Sequence, residues 1–351
     1  MSTPHPDALL SVRDLRVSFG STDVVRDVSF DVHARQVLAV VGESGAGKSL
    51  TARALLGMLP GNATATGSVR LREDSGACTE LVGAAPKELA ALRGRRLALV
   101  PQDALSALSP VHPVGDQLAA AVRSVTRVPR KEARARAVAA LDRVGIADAA
   151  RRARAYPHEY SGGMRQRAVI AMATVNEPDV VVADEPTTAL DAELQEQVLR
   201  VLAEQREAVG AALLLVTHDM AVVREHADRV LVMYAGRPVE QGPARDVLGR
   251  PRAPYTAGLL ASLPPDEQGE PGEPGGRRGN GRRLPVIPGT PPTPDGLPPG
   301  CAFAPRCPLA EDRCHREEPR PRPAGDGHDV TCHRWDDVPH AASDLFLEQP
   351  A

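Results

Sequence analysis

The sequence predicts an α/β fold built on a largely parallel sheet, and three observations carry that prediction. Short apolar runs (Val37 to Val41, Leu97 to Val100, Asp179 to Ala183, Ala211 to Val216) read as buried strands and alternate with segments of helical periodicity. A glycine-rich loop, Gly42 to Ser49, lies between the first run and the helical pattern Thr51 to Leu56. Polar groups stand just past the ends of the runs: Lys48 and Ser49, Gln102, Asp184 and Glu185, and His218. In an open parallel sheet, ligands sit at these strand ends.

Composition sets the outer bounds. At 351 residues the chain is long enough for two domains. With 42% hydrophobic and 25% charged residues it matches an ordinary globular protein. A net charge of −3 gives no electrostatic reason for nucleic acid as a partner. No apolar run reaches the roughly 20 residues of a membrane span. The first residues show no basic n-region or apolar h-region, so a cytosolic chain is expected. In that compartment the five cysteines point to thiols or metal ligands rather than disulfides.

Taken in order, Leu9 to Val32 alternates in places and reads as short strands around the turn after Phe19. Phe19 itself is either core or a ring positioned to stack on a base. The glycine loop then curls the backbone so that several N–H groups face one anion, at a helix N-terminus that adds partial positive charge. Lys48 can reach terminal phosphates and the Ser49 hydroxyl can hold Mg²⁺. A mere flexible turn is the alternative. Gly67 to Leu71 reads as a strand, and Arg72 to Ala85 as a polar loop or hairpin that includes Cys78, to which no role is assigned. From about 104 to 160 the pattern becomes helical, at Gln117 to Val125 and Lys131 to Val144. The Arg-rich stretch Arg130 to Arg136 reads as a solvated helix face in preference to a nucleic-acid face. Ser161 opens a helix through Ala173, Leu194 to Glu207 is helical, and Asp228 to Met233 with Gly236 to Val239 reads as a hairpin. Pro264 to Arg283 is a Pro/Gly/charge-rich linker, Pro285 to Pro299 is extended, and the last residues read as disordered.

The strand-end groups together describe a site for Mg·ATP hydrolysis. Asp184 can ligate Mg²⁺, Glu185 can polarise the attacking water, Gln102 can touch both, and His218 can hold the γ-phosphate. Phosphoryl transfer asks for little beyond such positioning and charge stabilisation. At this point the chain resembles an ATP-binding cassette (ABC) ATPase, over residues 8 to 250. The Walker A motif is Gly42-Glu43-Ser44-Gly45-Ala46-Gly47-Lys48-Ser49 and the Q-loop is Gln102. The signature is Ser161-Gly162-Gly163-Met164-Arg165-Gln166, Walker B is Val180 to Glu185, the D-loop is Ala189-Leu190-Asp191 and the H-loop is His218. The signature departs from the usual Leu-Ser-Gly-Gly-Gln by Tyr160 and Met164. The resemblance places Phe19 at the adenine and implies an α/β P-loop core with a helical signature subdomain at about 104–163. It also implies a head-to-tail dimer in which Ser161, Gly162, Gly163 and Asp191 contact the partner subunit's ATP, so an isolated chain should hydrolyse ATP feebly.

The flanks narrow the resemblance to the ATPase subunits of dipeptide, oligopeptide and nickel importers. The segments are Pro101 to Val111 with Val114 to Gln117, Pro251 to Thr256, Leu260 to Pro264, and Ile287 to Pro308. The family usually has Asn where Ser109 stands. The resemblance implies a small irregular C-terminal domain at 251–335, a tail at 336–351, and a peripheral position on the cytoplasmic face of the membrane. The partners it implies are a second homologous ATPase subunit, two transmembrane permease subunits and an extracellular solute-binding protein. The function it implies is ATP hydrolysis that powers peptide uptake, with nickel or another solute, or an exporter, as alternatives. DNA-repair ATPases of this core need long coiled-coil arms, and translation-associated relatives carry two cassettes. Neither fits this chain. Cys301, Cys307, Cys314 and Cys332 suit a [4Fe–4S] cluster, which some members of the resembled family carry, or Zn²⁺, or plain thiols. His315, His328 and His333 nearby read as surface residues.

Overall fold

A computed structural model describes residues 7–73, 75–188, 192–263, 286–339 and 345–346. The linker and the D-loop with Asp191 lie outside the described residues, as does most of the tail. The chain begins with a long antiparallel pair, β1 (Leu10–Phe19) and β2 (Thr22–Val32), turned at Gly20 with φ 60°. The buried strand β3 (Val37–Val41) leads into α1 (Lys48–Leu55). Strands β4 (Ala63–Arg72) and β5 (Cys78–Glu80) form a hairpin, with Cys78 exposed at its start. Helix α2 (Pro86–Leu92) and strand β6 (Leu97–Val100) follow.

Next come α3 (Ala104–Ala107), α4 (Val114–Val125), α5 (Arg130–Arg143), α6 (Ala149–Arg152) and α7 (Gly162–Thr174). The alternation then runs β7 (Val180–Asp184), α8 (Ala192–Val209), β8 (Ala212–Val216), α9 (Met220–His226), β9 (Arg229–Tyr234) and β10 (Arg237–Pro243). Helices α10 (Ala244–Gly249), α11 (Pro254–Ala261) and α12 (Asp312–Arg316) and strands β11 (Arg322–Gly325) and β12 (His328–Val330) complete it.

Two sheets result. The smaller, β2-β1-β4-β5, is antiparallel. The larger has the order β11-β12-β10-β9-β3-β8-β7-β6. Its central strands β9, β3, β8, β7 and β6 are parallel, and β10, β12 and β11 add antiparallel pairs at one end. Strands β3, β7 and β8 are buried at every position, which explains their unbroken apolar character. Each fully buried Val or Leu there contributes about 1.5–3 kcal/mol.

Three apolar clusters hold the layers. One joins the small sheet, α1 and one face of the large sheet, through Val12, Val28, Leu55 and Leu214. A second packs the 104–175 helices onto the opposite face, through Leu118, Leu141, Ile170 and Leu215. A third seats α9 to α11 and the C-terminal segment on β3 and β9, through Val232, Tyr234, Tyr255 and Phe303. Arg130, Lys131, Arg134 and Arg136 face solvent; Arg134 pairs with Asp116 at 3.0 Å and Arg136 with Glu132 at 2.5 Å.

The C-terminal segment is mostly irregular, with α12, β11 and β12 as short regular pieces. It adds strand β12 to the open edge of β10, pairing Glu240 with Val330 and Gln241 with Asp329. An unpaired edge offers a row of free N–H and C=O groups, and this addition satisfies part of it. His328, expected at the surface, is buried, with Nε2 2.8 Å from Glu240 Oε1. Glu240 also accepts backbone N–H bonds from Arg252 (2.7 Å) and Ala253 (2.9 Å). Within the tail, Asp337 pairs with Arg334 at 2.7 Å and Phe346 rests against the third cluster. Among the described residues, no helix is long and apolar enough to cross a membrane.

Candidate active site

The parallel register brings the C-terminal ends of β3, β6, β7 and β8 to one edge. From β3 the chain turns at Gly42, φ 147°, where a β-carbon would collide with the Met233 carbonyl oxygen. Only glycine fits that approach. Ser44 and Gly45 form the exposed crown of the loop, Ala46 and Gly47 are buried, and Gly47 (φ 93°) caps α1. Lys48 is buried at the first position of α1. Its Nζ donates to the Gly42 carbonyl (2.7 Å) and the Glu43 carbonyl (3.1 Å). Burial lowers the Lys48 pKa, against the opposing pull of Glu185, Asp184 and Glu43.

Asp184 closes β7 and accepts the Ser49 hydroxyl at 2.7 Å. Burial raises its pKa, while the Ser49 bond and Arg53 work in the other direction. Glu185 follows at φ 47°, and its N–H donates to the Val216 carbonyl at 2.9 Å. Three side chains converge on Glu185 Oε2: Gln102 Nε2 at 3.2 Å, Thr188 Oγ1 at 2.8 Å and His218 Nδ1 at 3.5 Å. Gln102 stands past β6 and His218 past β8, so three strand ends meet at one carboxylate. Thr188 carried no distinct sequence signal beyond its place three residues past Glu185.

Phe19 ends β1, half-buried against the first cluster. The signature stands apart at the N-terminus of α7. Ser161 caps that helix, accepting the Met164 N–H at 3.3 Å. Ser161 and Gly162 are exposed, while Gly163 packs against Leu194, where a side chain would collide.

The four C-terminal cysteines do come together. Cys301, Cys307, Cys314 and Cys332 line one small cavity of about 30 Å³, with Tyr255 and Phe303. Burial raises the Cys301 thiol and pushes Cys307 and Cys332 up to about 12. Yet among the described residues no three His, Cys, Asp or Glu side chains are arranged to hold a metal ion. The four cysteines thus line one cavity without forming a ligand geometry among the described residues.

Beside this cavity a long-range contact reaches the glycine loop. Arg306 Nη1 and Nη2 lie 2.8 and 3.0 Å from the two Glu43 carboxylate oxygens. Arg306 is buried, which disfavours its charge. Hydrogen bonds to Glu43 and Tyr234 outweigh that penalty and raise its pKa.

A glycine loop, a capping helix and strand-end acids at a parallel sheet define a P-loop nucleotide-binding protein. The family described as ABC transporter matches residues 25–188, and the oligopeptide/dipeptide transporter C-terminal region matches residues 239–314. The chain is 47% identical over 344 residues to an oligopeptide transport ATP-binding protein of Mycobacterium bovis, covering 96% of this chain and 54% of that protein. It thus spans about half the length of that relative. It is 43% identical over 343 residues to a probable peptide ABC transporter ATP-binding protein of Sinorhizobium fredii, covering 96% and 98% of the two. A dipeptide transport ATP-binding protein of Bacillus subtilis is 41% identical, covering 93% and 94%. This chain belongs to the ABC transporter ATP-binding proteins of the oligopeptide/dipeptide family. The fold is that of solved cassettes. A dimeric post-hydrolysis ATP-binding cassette bound to ADP and Pi superposes with TM-score 0.58 at 24% identity, covering 67% of this chain and 99% of that one. A Clostridium perfringens component of an ABC transporter complex gives 0.56 at 25%, covering 69% and 90%.

Proposed function

We propose that this chain hydrolyses ATP to drive the import of di- or oligopeptides across the cytoplasmic membrane. The observation that carries the catalytic half is the convergence of Gln102, Thr188 and His218 on the Glu185 carboxylate, beside Lys48 and the Ser49–Asp184 pair. Peptide as cargo rests on the relatives' names and on the match of the C-terminal region.

In this reading the loop N–H groups and Lys48 bind the phosphates, exchanging the carbonyl contacts of Lys48 for phosphate oxygens. Phe19 stacks on adenine, with Gly42, Ser44, Gly45, Ala46, Gly47 and Ser49 lining the phosphates. Glu185 orients the attacking water, and Gln102 and His218 hold it and the γ-phosphate in line. Ser49, Asp184 and Gln102 offer hard oxygen donors that fit Mg²⁺, which supplies charge neutralisation on the phosphates when bound. The exposed Ser161 and Gly162, with Gly163 and Asp191, complete the site of a second ATPase subunit in a head-to-tail dimer. Residues 8–250 act as the ATPase domain and 251–335 as the C-terminal domain. The dimer docks on two permease subunits at the cytoplasmic face, fed by an extracellular binding protein.

Glu185→Gln, in cells lacking the native copy, abolishes uptake of labelled di- and oligopeptides and leaves ATP bound. Turnover and uptake at wild-type rates overturn the reading. Loss of nickel uptake with peptide uptake intact moves the cargo.

Cys301, Cys307, Cys314 and Cys332 fit a [4Fe–4S] cluster by donor chemistry, with a structural role, because hydrolysis needs no electron transfer. Anaerobically purified protein then contains iron and acid-labile sulfide. Protein with neither, or with zinc alone, rejects the cluster.

A further inference from the structure

A loop that binds a polyanion here contains a carboxylate. Glu43 is the second residue of the glycine loop, and its side chain is only partly exposed, 25%. Left alone, that charge opposes the phosphates bound next to it, and the opposition grows as water is excluded. The counter-charge comes from 263 residues away in the chain. Arg306 grips both Glu43 oxygens in a bidentate pair, 2.8 and 3.0 Å, the geometry in which a guanidinium binds a carboxylate best.

The guanidinium is itself fixed from three other directions. Its Nε donates to the Pro288 carbonyl at 2.7 Å and its Nη1 to Tyr234 Oη at 3.2 Å. Its Cζ lies 5.8 Å from the centroids of both the Tyr234 and Phe303 rings. A second tie holds the same loop residue: the Glu43 N–H donates to Tyr255 Oη at 2.8 Å. The short 3-10 turn Ala304–Arg306 that presents the guanidinium lies between Cys301 and Cys307, both on the cysteine cavity.

We propose that Arg306 is a positioning residue of the nucleotide site: by neutralising and turning aside Glu43, it sets the affinity of the glycine loop for nucleotide, so the C-terminal segment is a working part of that site. The inference rests on reading the loop as a nucleotide site, and the test separates the two.

The full-length chain is titrated with a fluorescent ATP analogue and Mg²⁺, with circular dichroism to confirm folding. Lys48→Ala removes binding whatever Arg306 does. If the wild type fails to bind, or Lys48→Ala binds as well as wild type, the nucleotide reading falls. Arg306→Ala weakens binding by roughly tenfold, about 1.4 kcal/mol. Adding Glu43→Gln to Arg306→Ala restores most of the affinity, because the uncompensated charge is gone. Were Arg306 only a prop for the aromatic cluster, the second change would restore nothing. Arg306→Lys keeps the charge and loses the bidentate grip, so its affinity falls in between, and it serves if Arg306→Ala does not fold. Wild-type affinity in Arg306→Ala, no rescue by Glu43→Gln, or wild-type affinity in Arg306→Lys where Arg306→Ala does not fold overturns the proposal.

Discussion

Glu185 holds a backbone conformation, φ 47°, that few residues other than glycine adopt. Such a conformation costs about 1–3 kcal/mol and persists where the surroundings over-determine it. Here a backbone bond to Val216 and three side chains on one carboxylate oxygen do so. Its neighbour Asp184 carries a different cost. Burial lifts its pKa above the ordinary carboxylate value of 3.8. Between those two values the folded chain binds more protons than the unfolded one, so stability falls as pH rises through that window. Above it the deficit is complete. Asp184→Asn carries no charge to bury and keeps an acceptor for Ser49. Without nucleotide or metal, it should therefore melt higher than the wild type near pH 7, by roughly 2 °C. The difference should narrow as pH falls towards 4. Parallel melting curves across that range, with a constant offset or none, count against an ionised, desolvated Asp184.

At the scale of elements, α7 and β12 show two ways a segment is held. Helix α7 is fixed by its Ser161 cap and by Gly163 against Leu194, while Ser161 and Gly162 at its start stay exposed. Strand β12 is three residues long and is held by His328 on Glu240, both buried. His328→Ala leaves the Glu240 carboxylate its two backbone donors but no imidazole. A loss of roughly 2–3 kcal/mol follows, read by urea unfolding. Unchanged stability would show that the pair holds nothing. The parallel strands and the loop were legible in the sequence because a buried strand and a P-loop are local patterns. Val37 to Val41 and Gly42 to Ser49 need no distant partner to be recognised. The roles of His328 and Arg306 were not legible, because each depends on a partner, Glu240 or Glu43, that only the folded topology supplies. Short helices such as α2 and α10 escaped for want of a full period of apolar residues.

Across the whole molecule, the sheet edge at β10 is finished by residues that come 88 positions after it, since Glu240 meets His328 at that separation. A ribosome adds roughly 5–20 residues per second, so about 4–18 s pass between the synthesis of the two. For that interval the nascent chain carries a sheet with an open side and a carboxylate without its imidazole. Strand β12 is thus made well after the sheet edge that it covers. A message cut short before residue 328 yields a chain that holds Lys48, Asp184, Glu185 and His218 but leaves one side of β10 unpaired, and chaperones and proteases would meet it first.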